Sequence, residues 1–137
     1  MRYPSSARYD DGLILLARIL MMALFVLFGW GKLIDFSGTA AYMANEGLPL
    51  PTLAAAVVIL MEFFVGLALV LGLYTRPLAL LLALYTLGTA LIGHHFWTMA
   101  GAERMANAIN FYKNLAIIGG LLLLCVTGPG KYSLDRR

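Results

Sequence analysis

The sequence predicts an all-α fold, an integral membrane four-helix bundle with antiparallel helices and both termini on the cytoplasmic side. Apolar residues make up 61% of the 137 residues and charged residues only 12%. Four apolar runs each approach the roughly 20 residues that a helix needs to cross about 30 Å of hydrocarbon. Lysine and arginine are also distributed unevenly between the segments that connect these runs. We interpret residues 1–137 as a single membrane domain.

The composition excludes most classes of soluble protein. A soluble domain is about 45–50% apolar and about a quarter charged, whereas the mean hydropathy of this chain is +0.84. The net charge of +3 comes mostly from the chain ends and the short connections. No basic run is dense enough to predict nucleic-acid binding. The single cysteine, Cys125, lies in an apolar run, and we interpret it as a small buried hydrophobic residue.

The first two predicted helices have clear start signals. The first covers residues 12–31 and follows Asp10 and Asp11, which are typical of a helix N-terminus. The second covers residues 53–74 and follows Pro51, because proline suits a helix entry. Helices are expected for both runs, since in lipid a helix satisfies its own backbone hydrogen bonds.

The last two predicted helices are bounded by proline and glycine. The third covers residues 77–97 and begins at Pro77, and the fourth covers residues 107–127 and stops at the sequence Gly128-Pro129-Gly130. The short connection around Thr75 predicts that the second and third helices are antiparallel neighbours.

The positive charges predict the orientation in the membrane. Lys32 and Arg104 lie outside the spans on one side, and six basic residues lie on the other: Arg2, Arg8, Arg76, Lys131, Arg136 and Arg137. Cytoplasmic loops carry an excess of lysine and arginine. We therefore expect both termini in the cytoplasm and the connections 34–52 and 94–106 outside.

Two ionisable residues fall well inside the predicted helices. Arg18 lies about two turns into the first helix and Glu62 lies near the middle of the second, so their depths differ by about 5–8 Å. A charge at a helix centre costs about 2.5–3.5 kcal/mol and normally has a partner inside the bundle. The sequence predicts a buried ion pair of Arg18 and Glu62, or a network that contains both. A purely structural pair that fixes helix register is an equal alternative.

A second polar group is predicted nearer the outer face. Lys32 follows Arg18 by fourteen residues, so both lie within about 40° on one face of the helix. Gly29 on that face allows close helix approach, although Lys32 could equally extend to the outer interface. Four polar residues share one side of the first two turns of the fourth helix: Asn107, Asn110, Lys113 and Asn114.

The end of the third helix lies at the same level as this group. Two aromatic residues at this end, Phe96 and Trp97, could simply form an aromatic belt at the membrane interface. Adjacent histidines point about 100° apart on a helix, so we expect no metal site. A polar pocket under an aromatic rim could hold an anionic or quinone-like headgroup, and histidine can exchange protons near neutral pH. The candidate ligand pocket consists of Lys32, His94, His95, Trp97, Asn110, Lys113 and Asn114.

Motifs along nearly the whole chain resemble the bacterial DoxX family, particularly its short inner-membrane members from Gram-negative bacteria. Each motif occurs in the expected order and at the expected spacing. They are ILLARILMMALFVLFGWGKLIDFSGTAAYM (14–43), MEFFVGLALVLGLYTRPLAL (61–80), GHHFW (93–97), NFYKNLAIIGGLLLL (110–124) and TGPGKYSLDRR (127–137).

The resemblance implies a four-helix protein of the bacterial inner membrane. The family takes its name from a subunit of an archaeal thiosulfate:quinone oxidoreductase, and other members are linked to membrane oxidoreductase assemblies. Most bacterial members have no assigned reaction. The chain lacks the cysteine pair of thiol-dependent four-helix relatives such as vitamin K epoxide reductase-like proteins, which argues against that activity. The positions of the family pattern are Arg18, Gly29, Lys32, Glu62, Gly66, Arg76, Lys113 and Asn114.

Three functions agree with these observations. The first is an accessory or quinone- or lipid-binding subunit of a membrane redox system, with a membrane oxidoreductase as its partner. The second is a small transporter gated by Arg18 and Glu62, which would require a homo-oligomer because four helices are few for a transport path. The third is a structural module that contacts membrane lipids and partners. The sequence contains no nucleophile–base pattern and no phosphate-binding glycine loop, so we expect no stand-alone enzyme.

Overall fold

The computed structural model describes residues 7–135, with side chains from residue 9 onward, and within this range it contains helices and no strand. Three consecutive elements, α3 (Pro51–Ile59), a π-helical turn (Leu60–Phe64) and α4 (Val65–Leu71), form one unbroken helix, which we call the α3–α4 helix. The elements are α1 (Ala7–Ile34), α2 (Phe36–Asn45), α3 (Pro51–Ile59), the π turn (Leu60–Phe64), α4 (Val65–Leu71), α5 (Thr75–Gly93), a 3₁₀ turn (Phe96–Thr98) and α6 (Gly101–Thr127).

Four helical segments are long and apolar enough to cross a membrane, which confirms the predicted all-α membrane class. The segments are Tyr9–Ile34, Pro51–Leu71, Thr75–Thr98 and Gly101–Thr127. Their antiparallel arrangement and the cytoplasmic location of both termini stay predictions. Of the basic side chains behind that orientation, those of Arg2, Arg8, Arg136 and Arg137 lie outside the described residues.

The helix ends differ from those that the apolar runs predict, since α4 ends at Leu71 and α5 at Gly93, before the predicted ends at residues 74 and 97. Helix α1 begins at Ala7 and α6 at Gly101, before the predicted starts at residues 12 and 107. Helix α2 was not predicted at all, because its sequence is too short and too polar to stand out as a span. Its first turn is capped by Asp35, whose side chain accepts a hydrogen bond of 3.2 Å from the Gly38 backbone N–H.

The core lies where α1 packs against the α3–α4 helix and α5 packs against α6. Its central side chains are no more than 5% exposed: Met22, Phe25, Leu69, Leu82 and Leu121. Large apolar side chains also cover the outside of the bundle, with Leu123 67% and Val126 74% exposed. This outer apolar surface is what lipid rather than water would cover.

Glycines bring α1 and the α3–α4 helix close together. A Cβ atom added at Gly29 would lie 2.7 Å from the backbone nitrogen of Phe63, and one at Gly66 would lie 3.2 Å from Cγ2 of Val26. Residues later in α1 therefore contact residues earlier in the second span. Gly120 on α6 also approaches a neighbour, since its Cβ would lie 2.8 Å from the sulfur of Met21, whereas Gly119 faces open space.

Candidate functional site

A cavity of about 860 Å³ lies between α1, α2, α3, the π turn, α5 and α6. Apolar side chains such as Leu24, Phe28 and Val57 form much of its wall. We call it the polar cavity because of the other residues that line it: Lys32, Tyr42, Glu46, Glu62, Tyr85, Thr86, Thr89, His94, Asn110, Lys113 and Asn114.

An ion pair joins the two helices on one side of the polar cavity. Nζ of Lys32 on α1 donates to Oε2 of Glu62 on the π turn. The side chains of Lys32 and Glu62 remain 33% and 14% exposed. Because the Gly29 backbone packs against Phe63, the helices come close enough for this pair to form. Turns of π-helix inside α-helices are frequent at functional sites, and here the turn carries a charged residue that borders a cavity.

Helices α5 and α6 supply hydroxyl and amide groups to the polar cavity. Tyr85 lies close enough to Glu62 for the two side chains to interact. The Thr89 hydroxyl donates to the carbonyl of Thr86 at 2.9 Å, and the buried Asn114 donates from Nδ2 to the Thr89 oxygen at 3.4 Å. The hydroxyls are held in place by the helix backbone, and the Asn114 amide is oriented by Thr89.

The remaining polar groups lie toward the start of α6 and on α2. Nζ of Lys113 donates to Oδ1 of Asn110 at 3.1 Å, and Nδ1 of His94 lies 3.0 Å from Oδ1 of Asn107. Burial raises the pKa of the Tyr42 hydroxyl, and nearby Glu46 raises it further. Tyr42 is therefore a protonated hydrogen-bond donor at neutral pH.

Five of the seven predicted pocket residues line the polar cavity: Lys32, His94, Asn110, Lys113 and Asn114. His95 and Trp97 do not. Nδ1 of His95 instead lies 2.6 Å from the Thr98 hydroxyl oxygen, and the Trp97 ring lies 5.7 Å from that of Phe111. Trp97 belongs to an aromatic cluster with Phe96, Phe111 and Tyr112.

The structure does not bring Arg18 and Glu62 together, which corrects the predicted ion pair. Glu62 accepts from Lys32, whereas Arg18 binds the C-terminal end of α4. Leu69 in that end lies seven residues after Glu62, which is about 10 Å along a helix. The depth estimate failed because α1 and the α3–α4 helix cross with Gly29 against Phe63, so Lys32 is the residue of α1 at the level of Glu62.

Arg18 is 1% exposed and donates to backbone carbonyl oxygens. Nε donates to Leu69 at 3.0 Å and Nη2 donates to Val70, while Nη1 donates to Pro129 at 2.6 Å and to Tyr132 at 2.8 Å. The guanidinium thus ties the end of α4 to the segment that follows α6. We call this segment, residues 128–135, the C-terminal strap.

The C-terminal strap also covers the turn between α4 and α5. The backbone N–H of Asp135 donates to the Gly72 carbonyl at 2.8 Å, and the Asp135 carboxylate accepts from the N–H groups of Tyr74 at 2.6 Å and Thr75 at 2.9 Å. Burial alone would raise the pKa of Asp135, but these hydrogen bonds and the charge of Arg18 outweigh it, so the pKa lies below its usual value. The carboxylate caps the start of α5.

Sequence reasoning missed the C-terminal strap and several cavity residues. Tyr85 and Thr86 lie four and three residues before Thr89 on α5, so each is a helical neighbour of Thr89, and this spacing is a signal that could have found them. The strap offers less signal, because each of its hydrogen bonds to α1, α4 and α5 has a backbone group on at least one side and joins residues distant in sequence. Among the described residues, no group of three or more His, Cys, Asp or Glu side chains is placed to hold a metal ion.

The model of the DoxX family matches residues 13–95 of this chain. The chain belongs to the DoxX family. It is 52% identical to inner membrane protein YphA of Escherichia coli over all of its length and 98% of that protein, and 44% identical to inner membrane protein YqjF of the same organism over 94% of each chain. No solved structure matches it.

These findings describe a small DoxX protein of the bacterial inner membrane, with four helices that can span it. The polar cavity and the C-terminal strap lie at opposite ends of the contact between α1 and the α3–α4 helix, beside Lys32 and Arg18 respectively. The matched region covers α1 to α5, and α6 adds Asn110, Lys113 and Asn114 to the cavity.

Proposed function

We propose that this DoxX protein binds a quinone headgroup in the polar cavity, as an accessory subunit of a membrane redox system. The observation that carries the proposal is the composition of the cavity wall, which combines charged and hydroxyl-bearing side chains with a large apolar surface. A volume of about 860 Å³ lies within the usual range for small-molecule sites, about 300–1,000 Å³.

The polar groups come from different elements around the cavity, which suits a headgroup with two oxygen atoms. Lys32 and Glu62 come from α1 and the π turn, whereas His94 follows the end of α5 and Lys113 comes from α6. The lysines and Tyr85 can donate to quinone carbonyls. The apolar remainder of the wall, for example Val57 and Leu53 from α3, suits the ring substituents and the start of an isoprenoid tail.

The accessory role rests on the family. DoxX proteins are linked to membrane oxidoreductase assemblies, and the sequence offers no nucleophile–base pattern for a reaction of its own. An oxidoreductase that uses the bound quinone is the partner that this role implies. The chemistry of the cavity supports a site that positions the headgroup rather than one that transforms it.

The transporter alternative loses its main argument. It assumed a gate made by Arg18 and Glu62, but Arg18 is held by carbonyl groups of α4 and the C-terminal strap. The structural alternative keeps one argument, because an ion pair between Lys32 and Glu62 would also fix the register of two helices. A lipid headgroup is the competing ligand, and the experiment below separates it from a quinone.

The test is quinone retention and binding by the purified protein in lipid nanodiscs. We expect quinone in solvent extracts of the wild-type protein and saturable binding of an added short-chain ubiquinone. Lys32→Met and Lys113→Met should weaken this binding about tenfold or more, since hydrogen bonds to charged groups contribute about 1.5–3 kcal/mol. Lys131→Met is the matched control, because this exposed lysine belongs to the C-terminal strap.

Two results would contradict the proposal. One is a protein that retains only phospholipid and binds no ubiquinone, which would indicate a lipid site. The other is equal ubiquinone affinity in the wild type and in the Lys32 and Lys113 variants, which would place any binding outside the polar cavity.

A further inference from the structure

A chain of hydrogen bonds behind the polar cavity fixes the side chain of His94. His94 follows the last residue of α5, and its Nδ1 lies 3.0 Å from Oδ1 of Asn107. Asn107 in turn donates from Nδ2 to the backbone carbonyl of Glu103 at 3.0 Å. His94 lines the cavity, and Asn107 is not among the residues that line it.

This arrangement determines which imidazole nitrogen carries the proton. The Glu103 carbonyl can only accept a hydrogen bond, so the Asn107 amide must present its NH₂ group to that carbonyl. Its oxygen is then the atom beside His94, and this oxygen can only accept as well. Nδ1 of His94 must therefore be the donor.

A neutral imidazole with its proton on Nδ1 has a lone pair on Nε2. Within the described part of the chain, Nε2 of His94 has no hydrogen-bond partner, whereas Nδ1 is occupied by Asn107. His94 lines the cavity and Asn107 does not, so Nε2 is the ring nitrogen that remains available to a ligand there. The cavity wall thus contains a neutral acceptor beside the donor Lys113, in addition to the carboxylates of Glu46 and Glu62.

We propose that Nε2 of His94 accepts a hydrogen bond from a hydroxyl group of the bound ligand, so that the cavity prefers a quinol over the corresponding quinone. The proposal rests on the proposed function and adds the redox form of the ligand to it. A quinone offers only carbonyl acceptors to Nε2, and two facing acceptors repel each other. A quinol offers a hydroxyl donor at the same position, and its oxygen can still accept from a lysine. Asn107 acts as a positioning residue, because it touches His94 and not the cavity.

The first part of the test is the tautomer of His94, which requires no ligand. The chain has two histidines, so ¹⁵N spectra of histidine-labelled protein can be assigned from the His94→Leu variant. In basic buffer we expect the proton of His94 on Nδ1. Asn107→Leu should shift His94 toward the tautomer protonated on Nε2. A wild-type His94 that is mainly protonated on Nε2 would overturn the proposal.

The second part compares the two redox forms of one short-chain ubiquinone, measured anaerobically in nanodiscs. The wild-type protein should bind the quinol about three- to tenfold more tightly, the effect of one hydrogen bond. The preference should vanish in His94→Leu and shrink in Asn107→Leu. It should persist in His95→Leu, the matched control outside the cavity.

The outcomes separate this proposal from the proposed function. Equal affinity for both forms in the wild type, or a preference retained in His94→Leu, would overturn the role of His94 and leave a quinone site in place. If neither form binds, the quinone site itself is overturned, together with the preference.

Discussion

Arg18 keeps its positive charge inside the bundle by binding backbone carbonyl oxygens of Leu69, Val70, Pro129 and Tyr132. Carbonyls at a helix C-terminus carry partial negative charge and lack partners within the helix, so they suit a guanidinium. The planar fork of arginine supplies five N–H donors in fixed directions, which a lysine cannot replace. The side chain therefore joins the end of α4 to the C-terminal strap.

We expect Arg18→Ala to destabilise the protein strongly and Arg18→Lys to restore little. Each buried acceptor left without a donor costs about 1–3 kcal/mol, and a lysine offers only three donors from one point. The measurement is the thermal unfolding temperature in detergent. Arg104→Ala is the control, because Arg104 is exposed and stacks on the Phe96 ring at 5.6 Å, a contact with a small expected effect. Equal losses in the Arg18 and Arg104 variants would contradict the role of Arg18.

At the scale of the helices, the decisive contact is that of α1 with the π turn. The π turn presents Glu62 toward α1, and Gly29 lets the two backbones approach so that Lys32 reaches the carboxylate. Glycine is required here because a Cβ would lie 2.7 Å from a backbone nitrogen. The contact therefore positions one side of the polar cavity.

Gly29→Ala should lower stability and weaken ubiquinone binding together. The added methyl group must push the two helices apart, and overpacking of this kind costs about 1–3 kcal/mol. Gly31→Ala is the matched control on the same helix, since nothing lies within 4 Å of a Cβ added there. Thermal unfolding and ubiquinone titration measure the two effects. A Gly29→Ala protein with unchanged stability and binding would show that the close contact does not shape the cavity.

The sequence predicts the spans well and the partners of the charges poorly, for a physical reason. The length of an apolar run has to match the thickness of the hydrocarbon layer, so the four spans can be recognised without any tertiary information. The partner of Glu62 depends on how far one helix slides along another, which Gly29 and Phe63 decide by direct contact. The cluster of Lys32, Lys113 and Asn114 was predictable because Lys32 follows the first apolar run and the other two fall in the first two turns of the predicted fourth helix, which places all three toward one face of the membrane. The C-terminal strap was not, since Arg18 and Asp135 bind backbone groups there, and backbone groups leave no pattern in the sequence.

At the scale of the whole molecule, the strap and the polar cavity lie toward different ends of the bundle. We expect the strap to contribute to stability and the cavity to ligand binding. Arg18 and Asp135 tie the strap to the α4–α5 turn at one end. At the other end, Lys32 and Glu62 pair beside an open cavity. Stability and ligand binding should therefore respond to different substitutions and to different conditions.

The strap should weaken in acid. Its carboxylate, that of Asp135, has a folded-state pKa below the usual value because of hydrogen bonds from Thr75 and Tyr74 and the charge of Arg18, which together outweigh the effect of burial. A carboxylate whose pKa is lower in the folded state stabilises the fold fully at pH values above its unfolded-state pKa, about 3.9. This contribution is lost as the pH falls through the folded-state pKa. Unfolding temperatures of wild type and Asp135→Asn should thus differ at pH 7 and converge at strongly acidic pH. A difference that stays constant with pH would contradict this account, and Glu103→Gln at an exposed position serves as the control.

The central claim is that the polar cavity holds a quinone headgroup. The most direct measurement is photolabelling of the wild-type protein in membranes with a quinone that carries a photoreactive group on its ring, followed by peptide mapping by mass spectrometry. We predict labels within residues 28–32, 85–94 and 110–114 that excess ubiquinone removes. Labels that ubiquinone does not remove, or that concentrate in residues 69–77 and 128–135 around the C-terminal strap, would contradict the claim.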